Sequence, residues 1–197
     1  MPWLSFILFV LITSFTPGPN NFMAMTYAQK FGLRRIISYC CGVAGGFFLI
    51  ILLSSIFNRL LTKFMPVIEL PLTIFGAAYM LYLAFKIVTS KNYEVGNANE
   101  SNESRNFFIV GILLQFINPK GILFGIAVVS SFILPYYNTY SSYFVFALLL
   151  GTIGLLSSFS WGLLGSVFQK KILRHHKLFN IVMAILLVYS AISIMIK

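Results

Sequence analysis

Six apolar runs, each long enough to cross a bilayer as a helix, leave this 197-residue chain little choice of fold. A hydrocarbon core needs about 20 apolar residues per helix. The runs read from Trp3 to about Phe31, Ile36 to Phe57, Val67 to Val88, Phe107 to Leu134, Tyr143 to Phe168 and Leu178 to Ile196. Charged residues make up only 9% of the chain, against about 25% in soluble domains. The sequence therefore predicts an all-α membrane protein. The first run has no basic residue before it and no small-x-small site closing it, so it reads as a retained span rather than a cleaved signal.

The chain reads as a single transmembrane domain over 1–197, divided into halves of three spans, 1–90 and 107–197. Between them lies a polar linker, 91–106, whose Asn/Glu/Ser composition cannot bury a core. Basic residues set the orientation. Lys30, Arg34, Arg35, Lys86, Lys91, Arg105, Lys170, Lys171, Arg174 and Lys177 fall on one side, against Arg59, Lys63 and Lys197 on the other. The side richer in bases is cytoplasmic, which places both termini outside and the linker inside. The linker's Asn-Glu-Ser triplets, though they fit a glycosylation acceptor, are then on the wrong side. The bases sit in short clusters between apolar runs, a membrane pattern rather than a nucleic-acid surface. His175 and His176 read as solvated surface, and the tyrosines of the 135–143 loop as an interfacial belt.

Two spans are interrupted. In the first, Thr16-Pro17-Gly18-Pro19-Asn20-Asn21 cannot pass as unperturbed helix: two prolines remove two amide donors and clash with the preceding turn. In the fourth, Asn118-Pro119-Lys120-Gly121 repeats the ingredients at the corresponding point of the second half. With three spans per half, the second half must be inverted. The expected architecture is two inverted three-helix repeats with helices 1 and 4 broken near the midplane. Paired breaks of this kind point to a transporter binding site. Lys120 is the formal charge near the centre of a span, and a lysine there costs about 2.5–3.5 kcal/mol on insertion scales. Its ammonium needs a wet cavity or an oxygen-lined pocket. Gln115, Asn118, Asn20, Asn21 and carbonyls freed by the breaks are the partners at hand. The candidate substrate-binding and gating residues are thus Thr16, Pro17, Gly18, Pro19, Asn20, Asn21, Gln115, Asn118, Pro119 and Lys120. Lys120 is expected to meet a substrate carboxylate or to act in gating. Glycines elsewhere, Gly154 among them, read as helix-packing residues.

The segments Thr16–Arg35, Gly76–Ile87, Phe116–Gly125 and Phe179–Ile192 carry a resemblance that touches both halves. They resemble the LysE/RhtB family of amino-acid exporters. The run from Gln115 through Pro135 and the final span look most like its cysteine and O-acetylserine branch. The resemblance implies a secondary active exporter of small amino acids or derivatives, driven by the proton gradient, in the inner cell membrane. Such substrates carry an ammonium as well as a carboxylate, and the carbonyls freed near Pro17 and Pro119, with the Asn20 and Asn118 side-chain oxygens, are expected to meet it. It implies no enzyme activity, no cofactor and no resident metal. Its partners would be the substrate, protons as coupling ion and the bilayer, with homo-oligomerisation left open.

Two other readings come from the wider superfamily. A membrane thiol-disulfide electron carrier would want a cysteine beside the proline of each break, where this chain has asparagine. A metal exporter would want carboxylate, Cys or His ligands in the spans. Cys40 and Cys41 are adjacent on one span, a poor geometry for a disulfide and thin as a ligand set. Glu69, near the start of the third span, reads as interfacial.

Overall fold

The computed structural model describes residues 1–89, 106–167 and 176–196. Apart from Asn106, the predicted linker lies outside the described residues, as do Lys170, Lys171, Arg174, His175 and Lys197. Among the described residues the chain is all-helical. The elements are α1 (Trp3–Phe15), α2 (Pro19–Phe31), α3 (Leu33–Ile56), α4 (Asn58–Thr89), α5 (Phe107–Ile117), α6 (Pro119–Val128), α7 (Tyr140–Val167) and α8 (His176–Met195). A π-turn, Val129–Ile133, continues α6.

Local chemistry sets several of the boundaries. Gly32, at φ 80°, adopts a left-handed conformation that side chains resist, and so separates α2 from α3. Asn106 caps α5, its side chain accepting from the Ile109 amide at 3.3 Å. α4 begins at Asn58, nine residues before the apolar run does (58 against 67), because a helix can continue through polar residues that hydropathy assigns to a loop.

Among the described residues three helices are long and apolar enough to cross a membrane: Leu33–Ile56, Glu69–Thr89 and Tyr140–Val167. Two bent pairs bring the number to five if each is one span. These are Trp3–Phe15 with Pro19–Phe31, bent by 47°, and Phe107–Ile117 with Pro119–Ile133, bent by 68°. The last helix carries a shorter apolar stretch, Lys177–Ser193.

α3 packs on α5 and α7, α7 also on α2, and α4 on α8. Glycines bring the first three pairs close. A Cβ at Gly111 would lie 2.8 Å from the Val43 amide nitrogen, and one at Gly165 would lie 2.6 Å from the Met25 carbonyl oxygen. Both are too close for any side chain, so these helices meet backbone to backbone. α4 and α8 instead interlock Leu83, Ala84 and Ile87 with Met183, Ala184 and Leu187, over Phe22 and Met25. Large apolar side chains also cover the outside: Leu4, Phe75 and Phe85 are exposed to 72%, 74% and 68%. In water such a surface would be an aggregation patch; in lipid it is the required one.

Candidate functional site

Proline decides the backbone at both breaks. The residue before a proline is pushed out of the helical region into extended geometry. Thr16 (ψ 139°), Gly18 (φ −161°, ψ 175°) and Asn118 (φ −76°, ψ 103°) each precede a proline, and each is extended. Pro19 and Pro119 then open α2 and α6 at the first helical position, where a missing N–H costs nothing. Each break is thus one helix C-terminus facing one helix N-terminus, as the sequence predicts.

The C-terminal end of α1 is a ring of carbonyls with no intrahelical partner. Side chains from other helices satisfy them. Ser14 O accepts from Asn21 Nδ2 at 2.9 Å and Ser157 Oγ at 2.6 Å. Phe15 O accepts from the Trp161 indole at 3.2 Å. Thr16 O accepts from Asn21 Nδ2 at 3.2 Å and Lys120 Nζ at 2.8 Å. Pro17 O accepts from Lys120 Nζ at 3.2 Å and Ser190 Oγ at 2.7 Å. The negative end of a helix dipole also favours a cation. Lys120 therefore solves its burial by reaching from the second break to the carbonyl end of the first. Gly18 lets it through: a Cβ there would sit 3.0 Å from the lysine Cδ.

The two breaks meet a second time through Asn20, which donates to Gln115 Oε1. Tyr39 Oη donates to Asn20 O at 3.3 Å. Asn21 Oδ1 accepts from Ser158 Oγ at 3.3 Å. Asn20, Asn21, Gln115 and Asn118 are all buried.

These side chains surround a cavity of about 60 Å³. Of the ten residues singled out from the sequence, Gly18, Asn20, Asn21, Gln115, Asn118 and Lys120 line it. Thr16, Pro17, Pro19 and Pro119 shape it from behind; the Thr16 hydroxyl turns away and donates to Ile12 O. Sequence reasoning missed Ser14, Ser157 and Ser158, which line the same cavity, and Trp161 and Ser190, which brace its wall. A paired Ser157-Ser158 in the middle of an apolar helix was the available signal. The rest of the lining is Thr13 and Gly121 with an apolar set, Val43, Phe47 and Phe124, and Gly154.

The cavity's polarity is uneven. No side chain caps the N-terminus of α2 or of α6, so the amides of Asn20, Asn21, Lys120 and Gly121 form two positive helix ends beside the Lys120 ammonium. Two buried acceptors lining it, Ser14 Oγ and Asn118 Oδ1, have no hydrogen-bond partner. The carbonyls expected to meet a substrate ammonium are already engaged by protein donors. An aromatic cluster flanks the cavity on each side. Phe9 meets Phe124 and Phe132, both at 5.6 Å, on the side where α1 begins. Tyr27 meets Tyr39 at 5.3 Å and Phe107 at 5.6 Å on the side where α2 ends.

Cys40 and Cys41 are free thiols on α3, outside the cavity lining, and Cys40 is buried. Among the described residues no three His, Cys, Asp or Glu side chains come together as a metal site.

Residues 11–197 match the family model described as LysE type translocator. Proteins called cysteine/O-acetylserine efflux protein are similar over nearly the whole chain. One from Salmonella typhimurium is 36% identical over 190 residues, 96% of this chain and 95% of that protein. One from Escherichia coli is 35% identical over the same shares, and one from Salmonella typhi 37% over 191 residues. No solved structure matches. A match across nearly the full length, over helices apolar enough for a membrane and two breaks that meet at a cavity, identifies a transporter rather than an enzyme: the chain belongs to the LysE type translocator family.

Proposed function

We propose that the protein exports small amino acids or derivatives, of the cysteine and O-acetylserine kind, across the inner cell membrane, using the proton gradient. The carrying observation is the convergence of the Lys120 ammonium and two helix N-termini on one cavity between the breaks. That end suits a carboxylate. Lys120 exchanges its bonds to Thr16 O and Pro17 O for bonds to the substrate carboxylate. The substrate ammonium is then met by Asn118 Oδ1 and Ser14 Oγ, the acceptors without partners. Because Lys120 and Asn20 each tie one break to the other, carboxylate binding loosens the contact that holds the two broken spans together. Binding and opening are thereby coupled. The names of the similar proteins supply the substrate class.

In this reading α8 is the sixth span and the chain is two inverted repeats of three, with α1–α2 and α5–α6 as the broken spans. Both termini are outside and the 91–106 linker is cytoplasmic, as the basic residues direct. The test is transport in vesicles over a panel of amino acids, with and without a pH gradient. Export of cysteine or O-acetylserine that rises with the gradient is expected. Absence of movement for every amino acid tried, in vesicles shown to contain the protein, sinks the proposal. Movement indifferent to the gradient removes the proton from it.

A further inference from the structure

Glycine is the poorest helix former after proline, so each one inside a helix wants a reason. Most find it in packing. A Cβ at Gly42 would come within 2.9 Å of the Phe108 carbonyl carbon, one at Gly125 within 2.7 Å of Ile50 Cγ2, and one at Gly151 within 3.2 Å of Ala44 O. Gly154 differs. The nearest atom a Cβ there would meet is Phe47 Cδ1 at 3.5 Å, an ordinary contact. Packing leaves room for a side chain, and the room lies in the cavity, which Gly154 lines.

What faces Gly154 is apolar. Phe47 and Phe124 stack at 5.2 Å with planes 24° apart, and Val43 completes the wall. Ser157 and Ser158, one turn from Gly154 on α7, are engaged with Ser14 O and Asn21 Oδ1, while Lys120, Asn118 and Asn20 come from the breaks and Thr13 and Ser14 from α1. A substrate held by its carboxylate and ammonium at those groups directs its side chain at the Val43–Phe47–Phe124 wall and Gly154. No carboxylate is among the lining residues, so a cationic side chain would enter without a counter-charge.

We propose that Gly154 sets the size limit for the substrate side chain, and that the site takes zwitterionic α-amino acids whose side chain is short and uncharged. This rests on the reading of the cavity as the transport site. It deepens that reading by assigning a residue to side-chain selection and by setting cationic amino acids apart.

The experiment compares the wild type with Gly154→Ala, Gly154→Val and Gly45→Ala. Gly45 is the control: a Cβ there would meet nothing nearer than Phe108 Cζ at 4.0 Å, and it does not line the cavity. Efflux of alanine, serine, cysteine, O-acetylserine, leucine and lysine is measured from vesicles, per unit of protein in the membrane. The wild type should carry the short neutral substrates and leave lysine. Gly154→Ala should lower O-acetylserine efflux relative to alanine by about tenfold, the range expected when one methyl group's space is lost in an apolar pocket. Gly154→Val should abolish O-acetylserine efflux while some alanine still moves, and Gly45→Ala should leave every ratio unchanged. Gly154→Ser, adding a group already present at Ser157 and Ser158, gives a second small variant should the alanine protein reach the membrane poorly. Equal loss for all substrates in the Gly154 variants, or unchanged ratios, overturns the role of Gly154 while leaving the protein an exporter. Lysine carried as well as serine overturns the substrate class. A wild type that moves none of the panel defeats the transport reading itself and this inference with it.

Discussion

Replacing Lys120 with methionine keeps a long stem and deletes the ammonium, and the structure allows the consequences for stability and transport to be separated. The deletion removes the bonds to Thr16 O and Pro17 O, at 2.8 and 3.2 Å. Neither carbonyl is orphaned: Thr16 O keeps Asn21 Nδ2 at 3.2 Å, and Pro17 O keeps Ser190 Oγ at 2.7 Å. Hydrogen bonds to a charged group contribute about 1.5–3 kcal/mol each. Against that loss, removing a lysine from mid-span recovers about 2.5–3.5 kcal/mol of insertion cost. The two bonds together come to about 3–6 kcal/mol, so the balance runs from about zero to a loss of about 3.5 kcal/mol; insertion itself becomes easier, and the Lys120→Met protein should still reach the membrane. Transport has no such compensation. The substrate carboxylate loses a charge-assisted partner of about 1.5–3 kcal/mol, which is a factor of about 10–150 in affinity. Lys120→Arg should be impaired as well, because a planar fork does not replace a compact ammonium threaded past Gly18. The assay is initial efflux of labelled substrate from vesicles, divided by membrane protein measured by quantitative blot. Efflux by Lys120→Met within twofold of wild type would refute the reasoning and leave the lysine a tether between the breaks.

Asn20→Leu removes the donor to Gln115 Oε1 and leaves that buried amide oxygen without it, so export should fall at least tenfold with protein still in the membrane; unaltered efflux would take this contact out of the mechanism. Gly111→Ala places a methyl 2.8 Å from the Val43 amide nitrogen and 3.0 Å from Gly42 Cα; overpacking of about 1–3 kcal/mol should lower the melting temperature in detergent, and an unchanged melting temperature would show that α3 and α5 can part freely. Reporter fusions at Asn99 and at the C-terminus should report cytoplasm and exterior respectively; a cytoplasmic signal from the C-terminal fusion would reverse the orientation.

What the sequence made legible here was whatever acts through its neighbours in the chain. Thr16, Gly18 and Asn118 are extended because a proline follows each, so both breaks can be placed to the residue without knowing the fold. Lys120 is legible for a related reason. A charge inside an apolar run demands oxygen partners, and the freed carbonyls of the first break were foreseeable ones. Residues that act across the fold were not legible. Ser157 reaches Ser14 O, and Ser190 reaches Pro17 O, from 143 and 173 residues away, and a serine within an apolar helix carries no local sign of which carbonyl it will meet. Glycine is ambiguous in the same way. Gly151 and Gly154 read alike in sequence, yet the first packs within 3.2 Å of Ala44 O and the second borders the cavity. The π-turn at Val129–Ile133 was not foreseen either, since no Pro or Gly falls within it.

The carbonyl and amide ends that meet at the breaks are chemically unequal, and in the proposed reading the inequality sets the direction in which a substrate lies. At the carbonyl end of α1, four successive oxygens, Ser14 O to Pro17 O, are met by donors from α2, α6, α7 and α8. A substrate ammonium approaching them would have to displace protein donors and strand them, which is costly for buried groups. At the N-termini of α2 and α6 the amides have no side-chain cap and Lys120 stands beside them. An anion arriving there displaces only the lysine's own bonds, and the carbonyls left behind retain Asn21 and Ser190. On the proposed function, the carboxylate is therefore the end of the substrate that the protein is prepared to receive, and the ammonium is read second, by Asn118 and Ser14. A helix bundle that satisfied both ends of both breaks would be more stable and would have nothing left with which to bind.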